Sequence, residues 1–218
     1  MSKTAKETKS VKPASGLYRF LRTVLYYPIC FVCHLRFRGR ENEPTVEEGA
    51  YLVIAPHRTW ADPIYLCAAL RHWQPHFMAK QELFRIPLLR GLIRAFGAYP
   101  VNRGGADVVA VRHTIAMLKE GSAVGLFPQG HRYNEVDPRK TPVKTGAAMI
   151  ALKAGVPILP VYIHVKDNRH FPFCKKTVIV GKPITVEEMN YDPAAPGEYR
   201  RVTEYVFERL CELGDQYD

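Results

Sequence analysis

From position 36 onward the chain alternates short, continuous apolar runs with stretches whose apolar residues recur every three or four positions. The short runs predict strands at 36–40, 50–55, 76–79, 98–101, 123–127, 158–164 and 177–180. Helical spacing sets Val108, Val111, Ile115 and Leu118 on one face of a helix over 107–120 that stops at Gly121. An Ala-rich helix over 145–154 stops at Gly155, and a last helix over 198–213 aligns Val202, Tyr205, Val206 and Leu210 with its acidic residues outward. Asp62-Pro63 marks a further helix start, with Asp62 as N-cap and Pro63 as the first helical residue. Strands separated by helices predict one α/β domain.

Before position 36 the pattern changes. Residues 23–35 hold no Asp, Glu, Lys or Arg. As a helix they would reach only about 20 Å against the roughly 30 Å of a hydrocarbon core, and Pro28 is expected to interrupt them, so no transmembrane helix is predicted. Arg19, Arg22, Arg36, Arg38 and Arg40 flank the run with Tyr18, Tyr26 and Tyr27, which suits a segment lying in a membrane interface. The competing reading is a helix packed on the protein's own core. Lys3, Lys6, Lys9 and Lys12 precede it with no apolar stretch directly behind, so no ordinary secretory signal is visible and the cytoplasm is the expected compartment. The expected organisation is a basic flexible tail over 1–15, an amphipathic interfacial segment over 16–35, the α/β domain over 36–190 and an acidic C-terminal helix over 191–218 packed on it.

Composition narrows the class. At 218 residues, 47% hydrophobic and 24% charged, the chain has the make-up of one folded domain, which excludes wholesale disorder and collagen-like sequence. Five unevenly spaced cysteines read as reduced thiols rather than a disulfide framework. The net charge of +10 is lopsided: residues 184–218 sum to −6 and the first 183 residues to +16. A basic body fits anionic partners, whether phospholipid headgroups, coenzyme A, an acidic carrier protein or nucleic acid.

Candidate chemistry lies directly behind three predicted strands. His57 falls in the loop before the Asp62-Pro63 helix start; a loop folding back can bring its imidazole onto the Asp62 carboxylate, whereas five residues of helix would point them apart. Such a carboxylate fixes the histidine tautomer and frees the other ring nitrogen to take a proton from a hydroxyl. The competing reading leaves Asp62 as a plain cap. Arg103, followed by Gly104 and Gly105, can reach a phosphate. Behind the 123–127 strand, Gly130 offers a backbone N–H to an oxyanion and Arg132 a second guanidinium. Strand ends gathered on one edge of an open α/β sheet are where such sites form.

His57-x-x-x-x-Asp62, Val101-Asn102-Arg103, Phe127-Pro128-Gln129-Gly130-His131-Arg132 and Val156-Pro157-Ile158-Leu159-Pro160-Val161 together resemble, in order and spacing, the four motifs of the glycerolipid acyltransferase family typified by 1-acylglycerol-3-phosphate O-acyltransferases. Two linking stretches, 78–83 and 144–148, also resemble it. The fold this implies is a single α/β domain with a mixed, mostly parallel sheet flanked by helices. The activity it implies is transfer of an acyl chain from coenzyme A or acyl carrier protein to the hydroxyl of a lysophospholipid or glycerol phosphate at the cytoplasmic face of a membrane. By the same resemblance His57 is the general base and Asp62 its orienter; Arg103, Arg132 and Lys80 hold the acceptor's phosphate. Gly130 shapes the acceptor and oxyanion site, and Pro157 and Pro160 belong to a motif tied to donor binding and shape. No metal or bound cofactor is expected. The chain departs from the family at Pro56, where Asn is usual, and at Gln129 and His131, where Glu and Thr are usual. A neutral Gln129 amide can hydrogen-bond a glycerol hydroxyl, which opens other lysolipid acceptors.

Three rival signals are weaker. Cys30-x-x-Cys33-His34 matches a haem-attachment pattern but lies inside the apolar segment. The eight histidines show no closed zinc spacing. A non-catalytic basic protein on anionic lipid remains the rival from another class, while nothing in the sequence reads as a nucleic-acid module.

Overall fold

The computed structural model describes residues 14–102, 107–165 and 174–216. At its centre is β2 (Leu52–Ile54), buried at every position. Side chains alternate along a strand, so Tyr51, Val53 and Ala55 enter the core on one face and Leu52 and Ile54 on the other. Burial on both faces goes with parallel neighbours. β2 pairs in parallel with β5 (Val124–Leu126) and β6 (Ile158–Val165), β5 with β3 (His76–Lys80), and β3 with β4 (Ala98–Val101). Beyond β6 lies antiparallel β7 (Lys176–Val180), and β1 (Leu35–Arg38) pairs in parallel with β7. The sheet order is β1-β7-β6-β2-β5-β3-β4, the mostly parallel α/β architecture expected. Because β2, β5, β3 and β4 run the same way, their carboxyl ends share one edge.

Helices α1 (Gly16–Val32) and α2 (Asp62–Ala69) cover the face that holds Tyr51 and Val53. The other face is covered by α4 (Val108–Lys119), α5 (Gly146–Ala154) and α6 (Glu198–Asp215). Asp107 caps α4 by accepting from the Ala110 N–H, and Gly155, at φ +68°, ends α5 in the left-handed conformation. α6 buries Val202, Val206, Phe207 and Leu210 and leaves Glu204 and Glu208 in solvent.

The structure corrects the sequence at three places. Asp62 does not cap α2; Ala61 holds the cap position, its carbonyl accepts from Ile64 and Tyr65, and the Asp62 carboxylate turns back into the preceding loop. Pro28 does not interrupt α1, which continues through it to Val32. A helix α3 (Pro87–Ala95) is absent from the sequence expectation; Pro87 sits in its first turn, where its missing N–H costs nothing.

α1 is held to the domain by Arg40, whose guanidinium lies 3.5 Å over the Phe37 ring and donates to the Tyr26 hydroxyl and the Ala68 carbonyl. Tyr18, Tyr26, Ile29 and Cys30 face inward. The outer row Leu17, Phe20, Val24, Tyr27 and Phe31, spaced three and four apart, is 52–79% exposed. No helix among the described residues is long and apolar enough to cross a membrane.

Gly125 of β5 passes close to Phe77, so that a Cβ there would lie 2.1 Å from a ring carbon. Gly125→Ala is expected to cost about 1–3 kcal/mol, measured as a lowered thermal unfolding midpoint.

Candidate active site

β2 runs into the buried loop Ala55-Pro56-His57-Arg58, which bends back before α2 begins. Asp62 causes that bend. Its Oδ2 accepts from the Arg58 N–H at 2.7 Å and the Thr59 N–H at 2.8 Å and lies 2.9 Å from His57 Nδ1. Its Oδ1 accepts from the Thr59 hydroxyl at 2.7 Å. The carboxylate is fully buried, and these four donors replace the water it has lost. Since it can only accept, the neutral imidazole carries its proton on Nδ1 and keeps a lone pair on Nε2. Nε2 has no hydrogen-bond partner among the described residues.

The β5 loop holds His57 from the other side. The imidazole stacks on Phe127 with centroids 4.1 Å apart, and Phe127 stacks on Phe77 at 6.1 Å. Tyr133 N–H donates to the His57 carbonyl at 2.8 Å. The His57 N–H donates to Gln129 Oε1 at 2.6 Å, and Gln129 Nε2 donates to the Thr141 hydroxyl at 2.7 Å. Gln129 is 2% exposed and faces inward, so both ends of the amide that the sequence offered to an acceptor hydroxyl are engaged within the protein.

Gly130, at φ +72°, also differs from expectation: its N–H is not offered to an oxyanion but closes a turn on the Phe127 carbonyl at 3.0 Å. What Gly130 provides is closeness. A Cβ there would lie 3.1 Å from Lys144 Nζ, so its absence lets the Lys144 chain lie against the turn. Arg132 is exposed on the same loop, and Lys80 is exposed at the carboxyl end of β3. Arg103 lies outside the described residues. Pro157 and Pro160 belong to β6 and its entry: the Pro157 carbonyl accepts from Leu52 N–H at 3.0 Å, and Pro160 pairs with Ile54. Pro157 thus sits at the sheet edge away from His57.

The structure therefore joins His57, Asp62, Gln129 and Gly130 across two neighbouring strands, with Arg132 and Lys80 at the same edge. Sequence reasoning missed Phe127, Tyr133 and Thr141 as supports of His57, and Lys144 as a cation beside Gly130. It also missed Arg58, which is buried and donates to the Tyr162 hydroxyl at 2.8 Å; an arginine within an otherwise apolar run was the available signal. Cys67 packs in the core, and burial pushes its thiol up to about 12, far from a nucleophile's range. Cys30 and Cys33 pack at the end of α1. Among the described residues no group of three or more His, Cys, Asp or Glu could hold a metal ion.

Comparison with known proteins shows the family. The acyltransferase family model matches residues 34–164, more than half of the chain. The chain is 28% identical to the 1-acyl-sn-glycerol-3-phosphate acyltransferase of Bacillus subtilis over 93% of its own length and 99% of that protein's. It is 34% identical to the enzyme of that name from Streptococcus pneumoniae, over 70% of this chain and 56% of that one. In fold it is similar to the crystal structure of the 1-acyl-sn-glycerophosphate acyltransferase PlsC from Thermotoga maritima, with a TM-score of 0.62 and 24% identity over 90% of this chain and 77% of that one. The chain belongs to the acyltransferase family and is an acyl-transferring enzyme.

Proposed function

We propose that this enzyme moves a fatty acyl chain from an acyl thioester, on coenzyme A or acyl carrier protein, to the sn-2 hydroxyl of 1-acyl-glycerol-3-phosphate, forming phosphatidate. The observation that carries this reading is the buried His57–Asp62 contact at 2.9 Å. In the proposed reaction Nε2 takes the acceptor's hydroxyl proton as the oxygen attacks the thioester carbonyl. Asp62 stabilises the resulting imidazolium, and the proton then passes to the departing thiolate as the C–S bond breaks. No acyl-enzyme is required. Arg132, Lys144 and Lys80, with Arg103, supply the cations for the acceptor's phosphate. The names of the relatives support lysophosphatidate as acceptor. The inward turn of Gln129 supports it too, since the missing Glu charge then bears on His57 rather than on the acceptor. His131, exposed on the same loop where Thr is usual, favours trying other lysolipid acceptors as a second reading.

The proposed place of the reaction is the cytoplasmic face of a membrane, with no helix among the described residues long and apolar enough to span it. The exposed apolar row of α1 and its neighbouring arginines support this, since such a face gains by lying in an anionic lipid interface. The five free cysteines fit a reducing compartment.

Purified enzyme given labelled acyl thioester and a panel of lysophosphatidate, glycerol 3-phosphate and neutral lysolipids is expected to form phosphatidate, with His57→Ala slower by about 10² to 10⁴-fold. Transfer to another acceptor alone would keep the base and move the specificity. Asp62→Asn places an amide N–H among donors and is expected to cost at least about 10²-fold in kcat, read in the same assay. Replacing Phe20 and Phe31 together with Glu is expected to weaken binding to anionic vesicles by at least about 10-fold, measured by co-sedimentation.

A further inference from the structure

The bonds that leave Gln129 run in one direction. A backbone N–H can only donate, so the His57 N–H must face Gln129 Oε1, as it does at 2.6 Å. The amide nitrogen then faces Thr141, whose hydroxyl accepts at 2.7 Å and sends its own proton to the Pro138 carbonyl at 2.6 Å. Reversing the amide would set donor against donor. Gln129 and Thr141 are 2% and 8% exposed, so solvent is poorly placed to replace a lost partner.

The far end of this chain of bonds is anchored. Pro138 opens the single-turn helix Pro138–Lys140. Within it, Arg139 donates to both carboxylate oxygens of Asp215 at 2.9 and 2.7 Å and to Glu208 at 3.1 Å, both on α6. The Lys144 N–H, farther along the same segment, donates to the Pro128 carbonyl at 2.9 Å. The acidic C-terminal helix, expected only to pack on the domain, thus latches the segment against which Gln129 is set.

We propose that Gln129 and Thr141 are positioning residues for acyl transfer: together they fix the backbone at His57, and through it the place of Nε2, without touching the acceptor. This rests on His57 being the base. Its backbone N–H, carbonyl and ring face are all held by the β5 loop, and a base displaced by about 1 Å loses on the order of 10²-fold in rate.

The test uses the full chain, long-chain acyl-CoA and lysophosphatidate. Thr141→Val keeps the shape and removes the hydroxyl, Thr141→Ser restores it, and Gln129→Met removes both amide bonds. Thr141→Val and Gln129→Met are each expected to lower kcat by about 10-fold with KM for lysophosphatidate unchanged. The double variant should be no slower than the slower single one, and Thr141→Ser should match the parent. A raised KM with unchanged kcat in Gln129→Met would instead put Gln129 against the acceptor, and parental kcat in Thr141→Val or additive losses would overturn the relay. Should Gln129→Met fail to fold by circular dichroism, the Thr141→Val and Thr141→Ser pair decides alone. His57→Ala run alongside separates the two readings: parental activity there removes the base assignment, whereas its loss beside a parental Thr141→Val removes only the relay.

Discussion

A carboxylate cut off from water organises this site. Burying an unpaired ion costs several kcal/mol, so Asp62 must find its donors within the protein. Three of its four come from Arg58 and Thr59, a few residues upstream, and they can reach it only if the chain folds back on itself. That return brings the His57 imidazole to Oδ2 as its third donor. Satisfying the charge and orienting the proposed base are one event. The start of α2 adds to it, because Asp62 occupies the first turn, where the helix dipole favours negative charge.

The sheet explains why this loop meets the β5 loop rather than any other. β2 lies between β6 and β5, and parallel β5 ends on the same edge. Phe127 follows β5 directly and supplies the surface on which the imidazole lies, while Phe77, from β3 on the far side, supports Phe127. Gly125 makes room for that second ring. A strand interior and the His57 ring are therefore coupled through stacked side chains. The three strands whose ends carry the described candidate residues are neighbours in the order β2-β5-β3, which gathers residues far apart in sequence without a long loop.

Much of this was legible beforehand. All seven strands were expected, with no end displaced by more than two residues; the central ones, buried on both faces, read as continuous apolar runs. The dyad was legible because an Asp-Pro pair after a strand signals a turn into a helix, and only a reversing loop could join His57 to Asp62. Less legible was the direction in which loop side chains point. Gln129 and Gly130 were placed in the right loop, but spacing does not tell whether an amide faces substrate or backbone, or whether an N–H is already spent within a turn. Lys144 escaped notice because its approach to Gly130 is tertiary, made across the loop by the absence of a Cβ. Pro28 misled because a proline rule written for isolated helices yields when Arg40 and the core hold the inner face of α1 at Tyr26, Ile29 and Cys30.

The exterior carries the last part of the argument. Trp60, Leu88 and Val109, all strongly exposed, follow the carboxyl ends of β2, β3 and β4, and Phe31 stands near the end of α1 just before β1. A protein that works in water gains nothing by leaving large apolar side chains around its own catalytic edge. One whose proposed acceptor has a phosphate head and a long acyl chain gains twice. In the proposed reaction the apolar rim would stay with the lipid, so the acceptor's chain need never cross water, while the exposed cations of Lys80, Arg132 and Lys144 would meet the phosphate at the depth where headgroups lie. His57 then needs to act over a short distance only, and the buried carboxylate behind it remains in the protein's interior.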